Sequence, residues 1–396
     1  MKYKNIFSWL YLLLACAMLA IGRLYDERLD FFGINLSLIL SISFLLLSIP
    51  LLFSIKKIKI YSTKRFLYSF LLIVIILTPI LFLYFDYEHL GLLKYINFIF
   101  IVVPLVIIVV ETFKYHDVRI FFKILLGFIF MLSLIGLFAG DVTITGRISA
   151  LGGGPIVFAR WMNVGLIILF FINQGKINKT SLLLMLFFLF LSLAAGSRGP
   201  IYSLFITFLA YFIFNFQNIF VRVFLYLSVI FSVAIFSGIS SSQIDFGKIE
   251  RLVTKDSRSQ NARALFALRS LDLVTHYPLG VGLGNWQIYI NKVKPTHLLK
   301  HDYPHNLILE IFTELGIFSG ILFLFLLFYI LFYNYKKMYL YKDYEYSFYP
   351  LLFYLQLYLV INSFFSGSLN DSRLLFVIMA MSLIELPLIL NKNKND

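Results

Sequence analysis

The sequence predicts an all-α, polytopic membrane protein of about 12 transmembrane helices. Two observations carry that prediction. Of the 396 residues, 60% are hydrophobic and only 14% are charged, whereas a soluble protein carries about 25% charged residues. Apolar runs long enough to cross a bilayer core, about 20 residues in helical form, recur from end to end. A β-barrel needs short alternating segments instead. The first run, Ile6 to Ile21, has the length of a signal peptide core, but the many runs after it make it the first span.

In chain order the spans are expected at about 5–22, 34–55, 66–85, 93–112, 119–139, 153–172, 180–196, 200–217, 219–238, 307–333, 348–366 and 373–391. Loop charge orients them. Lys2, Lys4, the group from Lys56 to Arg65, Lys114, Arg119, Lys176, Lys179, Arg222, Lys336, Lys337, Lys342, Lys392 and Lys394 fall on one side if the spans alternate. The short loops of the other side hold Arg23, Arg28, Arg147, Arg198 and Arg373, with Lys94 at the edge. The positive-inside rule then puts both termini in the cytoplasm. It also accounts for the net charge of +14 without a nucleic-acid partner. A single cysteine, Cys16, excludes an internal disulfide and a cysteine-rich metal site.

One membrane domain, 1–396, is expected, with an extracytoplasmic subdomain at 239–306 inserted between the ninth and tenth spans. In that interval Ala264, Leu265, Leu268, Leu271 and Val274 recur near helical spacing, predicting a helix over Asn261–Thr275. His276-Tyr277-Pro278 ends it, and the run Gly280 to Gly284 is a close-packed turn. Asn285 is placed to cap a short helix from Trp286, and Asn306, after Pro304, to cap the tenth span. Trp286, Tyr289 and Tyr303 suit an interfacial position.

The charged residues of this outer side are the candidate chemistry. Arg198 lies in the turn Gly196-Ser197-Arg198-Gly199-Pro200. It reads either as a span-end arginine reaching into headgroups or as a bidentate phosphate ligand. Arg263 and Arg269, six apart on one helix, face different directions. Arg160 stands a turn or two inside the sixth span, or at the interface if that span starts late; an arginine within a membrane is a functional candidate. His297, His301 and His305 recur every four residues, but Pro304 breaks their continuity and no acidic ligand has metal-site spacing, which argues against a metal. His305 just before a helix N-terminus is either a polar cap or a base. The dipole and nearby arginines disfavour its charged form, keeping it able to accept a proton. Glu310 and Glu314 suit the first turns of a helix on dipole grounds alone and can also orient the arginines. The glycine run lacks the Lys-Ser/Thr of a P-loop.

Taken in order, Ser197-Arg198-Gly199, then Arg263-x-x-Phe266, then HYPLGVGLGNW at 276–286, then His305-Asn306-x3-Glu310-x3-Glu314-Leu315-Gly316-x3-Gly320 resembles the O-antigen ligase and polymerase superfamily of bacterial glycan assembly. Tyr277-Pro278 and Trp286 depart from the usual His-Pro pair and Phe, without touching a charged residue. The resemblance implies a GT-C-like glycosyltransferase of the bacterial inner membrane, with no metal or other cofactor. Its implied donor is a glycan on undecaprenyl diphosphate, and a flippase and a chain-length regulator are its implied partners. It implies Arg198 and Arg263 as diphosphate ligands and His305 as the base. Arg160, Arg269, Asn306, Glu310, Glu314 and Tyr303 are further substrate-binding candidates. The leading expectation is a repeat-unit polymerase for O-antigen or capsule. A ligase acting on lipid A–core and a protein oligosaccharyltransferase are its alternatives. A lipid-linked glycan flippase is the rival of another class, but it predicts ionisable residues near the midplane and paired repeats, where this chain concentrates charge beside one outer loop.

Overall fold

A computed structural model of the chain describes residues 2–21, 29–31, 34–54, 90–113, 117–142, 147–151, 153–172, 178–215, 257–293, 304–341 and 347–383. Expected spans 66–85 and 219–238 lie outside these residues. Helices occupy the other expected stretches: α1 (Lys2–Ala20), α2 (Leu36–Ser54), α3 (Leu90–Asn97) continued by α4 (Val103–Thr112), α5 (Val118–Phe138), α6 (Pro155–Ile172), α7 (Lys179–Ala194), α8 (Arg198–Asn215), α11 (Leu307–Leu340), α12 (Tyr349–Phe365) and α13 (Arg373–Leu383). Between them lie α9 (Ser257–His276) and α10 (Trp286–Val293), and two short hairpins pair β1 (Asp30–Phe31) with β2 (Ile34–Asn35) and β3 (Asp141–Val142) with β4 (Ile148–Ser149). Among the described residues α5, α6 and α11 are long and apolar enough to cross a membrane, and several shorter helices are apolar throughout.

Local chemistry sets the helix ends. Asp117 and Asn178 accept from the backbone N–H groups of Arg119 (3.0 Å) and Ser181 (2.7 Å), capping α5 and α7. Pro350 opens α12, where a missing N–H costs nothing. The fourth stretch is less regular than its apolar run suggests. A π-helical turn, Phe98–Val102, joins α3 to α4 just ahead of Pro104, whose ring and missing N–H disturb the preceding ladder.

The helices pack into one large apolar core spanning α1 to α13. Polar side chains add directional ties inside it: Asn334 on α11 donates to Gln356 on α12 (2.6 Å) and Ser382 on α13 (2.7 Å), and Asn163 on α6 donates to the Pro200 carbonyl of α8 (2.9 Å). The α9–α10 pair has a small core of its own, built from Phe266, Leu273, Val281, Trp286 and Ile290. The Trp286 indole N–H donates to Ser270 across it (3.0 Å).

That pair is fastened to the bundle at a break in α11. Gly316 has φ 88° and ψ 171°, a backbone conformation reserved almost entirely for glycine. The break frees backbone groups that the glycine turn meets. Val281 N–H donates to Thr313 O, Gly282 N–H to Glu314 O, and Ile317 N–H to Pro278 O, each at 2.9 Å. The approach excludes side chains on both partners. A Cβ on Gly280 would lie 2.6 Å from Glu314 O, and one on Gly316 2.6 Å from the Leu279 carbonyl. Asn285 precedes α10 as expected, and its amide donates to Val281 O (3.0 Å), which holds the turn.

Candidate active site

The starts of α6, α8, α11 and α13 and the ends of α1, α7 and α12 gather at one end of the bundle, as the contacts below establish. Arg198 is the first residue of α8. The turn before it is held by Arg147, whose Nε donates to Ala195 O (3.0 Å) and whose terminal nitrogen donates to Ser197 Oγ (2.6 Å). Gly199 then meets the end of α12: a Cβ there would sit 2.9 Å from Phe365 Cβ. Arg198 is therefore anchored beside Phe365.

His305 reaches the same place by another route. Asn306 Oδ1 accepts from Ile308 N–H (2.9 Å) and Leu309 N–H (3.1 Å), capping α11, while its Nδ2 donates to Phe364 O (3.1 Å). His305 precedes this cap with φ 53°, in the left-handed region that few non-glycine residues enter. Its ring stacks on Phe266, with centroids 6.3 Å apart and 14° between planes. Phe266 lies three residues after Arg263 on α9, so the two occupy neighbouring positions on one side of the helix.

The contacts form one path: Arg198 and Gly199, Phe365 and Phe364, Asn306 and His305, Phe266 and Arg263. Arg198, His305 and Arg263 thus lie along one chain of contacts through the junction of α8, α9, α11 and α12, and all three are half-buried. The N-termini of α8 and α11 add their partial positive charge there. Two arginines, two helix N-termini and an imidazole are groups that suit a ligand carrying an anion and a hydroxyl. Arg269, also half-buried, lies about 120° further round α9.

Glu310 and Glu314 occupy the first two turns of α11, each 2% exposed. Their partner is Lys94 at the start of the fourth stretch: its ammonium pairs with Glu310 Oε1 and, at 2.5 Å, with Glu314 Oε2. Glu310 Oε2 also accepts from Leu369 N–H (2.9 Å), and Asn370 Nδ2 donates to Lys94 O (3.3 Å). Arg160 sits on the second turn of α6 and donates to Ser366 O (3.1 Å) and, more weakly, Asp371 O (3.5 Å), just past the end of α12. It lines a cavity of about 30 Å³ with Asn362, Asp371 and Arg373. Arg373, buried, donates to Met18 O and Ile21 O at 2.8 Å each, closing the end of α1. Arg160 thus belongs to a neighbouring set of helix-end contacts. Tyr303, His297 and His301 lie outside the described residues.

Three contributors escaped sequence reasoning: Lys94, Arg147 and the break at Gly316. Lys94 left one signal. It is the lysine among arginines at the span ends expected on the outer side, and it proves to be the partner of two carboxylates.

Residues 180–324 match a family model described as O-antigen ligase. No curated protein matches the chain. The matched range holds α7 to α10 and the first half of α11, and with them Arg198, Arg263, His305, Glu310 and Glu314. Members of this family are glycosyltransferase-like membrane enzymes acting on lipid-linked glycans. In this segment the motif order and the family match coincide, and the chain is similar there to the O-antigen ligase and polymerase superfamily.

Proposed function

We propose that this protein polymerises glycan repeat units carried on undecaprenyl diphosphate, at the outer face of a bacterial inner membrane. The observation that carries the reading is the chain of contacts that links the helix starts bearing Arg198 and His305 to the helix bearing Arg263, inside the matched segment. The fold that goes with it has twelve membrane crossings in a GT-C-like arrangement, both termini cytoplasmic, and a subdomain at 239–306 outside.

The chemistry follows from the residue types. The hydroxyl of an acceptor sugar attacks the anomeric carbon of the donor. A new glycosidic C–O bond forms as the bond to the diphosphate oxygen breaks, and undecaprenyl diphosphate leaves with the electron pair. Arg198 and Arg263 balance the charge growing on the leaving diphosphate, an electrostatic role that requires no metal. His305 takes the hydroxyl proton as the oxygen attacks. Arg160, Arg269, Asn306, Glu310, Glu314 and Tyr303 complete the substrate surroundings in this reading, with Glu310 and Glu314 acting through the structure they hold. A flippase supplies the donor and a chain-length regulator acts alongside.

The description of the matched family as O-antigen ligase favours a second reading, transfer of finished glycan to lipid A–core. Gene deletion separates the two. Loss of a polymerase leaves surface glycan capped by a single repeat unit, loss of a ligase leaves long chains on the carrier and bare core, and loss of a flippase strands single units on the inner leaflet. For the site, His305→Ala and Arg198→Ala are expected to lower transfer at least about 100-fold in purified protein that still inserts. Transfer retained by either variant in the presence of a chelator removes that residue from the mechanism.

A further inference from the structure

We propose that Lys94 is a positioning residue for the reaction, setting the place of His305 through the first segment of α11. The inference rests on the reading of His305 as the base.

The segment from Asn306 to Leu315 is short and bounded by two unusual backbone conformations, His305 at φ 53° and Gly316 at φ 88°. A continuous helix would take its direction from the long part behind it. This piece takes its direction from what touches it. The glycine turn holds its far end through Thr313 and Glu314 carbonyls, and Asn306 holds its near end to Phe364 O. Lys94 is the side chain that grips both turns between, because Glu310 and Glu314 are four apart and share one face. The lysine is itself fixed: its own carbonyl accepts from Asn370, and Glu310 is tied to the backbone at Leu369. A closed set of contacts therefore links the fourth stretch, α11 and the loop between α12 and α13.

Charge explains why the residue is a cation at this point. Two carboxylates at 2% exposure, four residues apart, repel each other and are poorly solvated. One ammonium, its side chain 15% exposed, draws both toward it and fixes the helix face that presents them. His305 follows without slack, because the Asn306 cap joins it directly to this segment. Lys94 lies outside the matched range 180–324, so the family pattern does not account for it.

A double-mutant cycle on the purified full-length chain tests the proposal, using Lys94→Gln, His305→Ala and the pair, with transfer and pyrophosphate binding both measured. Lys94→Gln is expected to lower kcat about 10- to 100-fold, as small misplacements of a catalytic group do, with pyrophosphate affinity unchanged. In the His305→Ala background the same substitution is expected to cause no further loss, since its effect passes through the imidazole. Losses that multiply instead, or a fall in pyrophosphate affinity alone, overturn the positioning role. If His305→Ala itself transfers normally, the base assignment fails rather than the role of Lys94. Lys94→Arg covers the case in which the glutamine variant does not insert. It keeps the charge but pushes the segment outward, so kcat is expected to fall about 10-fold, and an unchanged kcat shows that only charge was needed.

Discussion

The two halves of α11 are one helix in sequence and two different objects in the molecule. Before Gly316, the segment Leu307–Leu315 is nearly all buried, carries Glu310, Thr313 and Glu314, and is pinned on several sides. After it, the apolar run continues to Leu340 with one face in the core, through Phe323, Leu326, Leu327, Ile330 and Asn334. Its other face is open: Phe318 is 80% exposed, and Phe325 and Phe332 follow at intervals close to two turns. That exposed stripe suits lipid, whose chains pack on Phe without a penalty. The first half is fixed in position by directional bonds, the second held in the bilayer by its apolarity, and one glycine separates the two behaviours.

Substitutions test how sharp the division is. The largest effect is expected at the boundary. Gly316→Ala places a methyl 2.6 Å from the Leu279 carbonyl at a φ of 88°, so stability should fall by about 3 kcal/mol or more. Size-exclusion profiles and thermal unfolding in detergent report it; a variant as stable as the parent would mean the break does not require glycine. A smaller loss is expected within the pinned half. Asn306→Ala removes two cap bonds and the tie to Phe364, worth about 1–2 kcal/mol, with transfer falling more than stability accounts for because His305 loses its anchor. Equal stability in the same melts would separate the cap from the site. The smallest effect belongs to the lipid-facing half. Phe325→Ala, at 66% exposure, should change stability by about 0.5 kcal/mol or less and leave turnover unchanged. A large loss there would mean the stripe packs on a protein partner rather than lipid.

How much of this could be read from residues alone depends on distance along the chain. Pro304 followed by Asn306 ahead of an apolar run states a helix start, and the cap is where that pattern puts it. Glu310 and Glu314 share a face by spacing alone. The helix that its apolar period predicts over Asn261–Thr275 is there, starting four residues earlier at Ser257 and stopping at His276, just before Tyr277-Pro278. The partner of the two carboxylates was not legible, because Lys94 is 220 residues from Glu314 and no local pattern joins them. Nor was the break at Gly316. Glycine is frequent inside membrane helices, and the hydrophobic run passes through it unbroken.

By itself the sequence determined what is local and what is averaged: the apolar spans, the caps, the charge bias between loops, and the residue types able to meet a diphosphate or take a proton. Only the tertiary structure decided which of those residues meet. Phe365 and Phe364 link the starts of α8 and α11, and Phe266 links His305 to the helix of Arg263, while Arg160 donates to the Ser366 and Asp371 carbonyls next door. The reason is physical. Helical propensity and membrane partitioning act over one or two turns, whereas the bonds that close the site join backbone groups freed at breaks and helix ends, and those find partners only once the helices are packed.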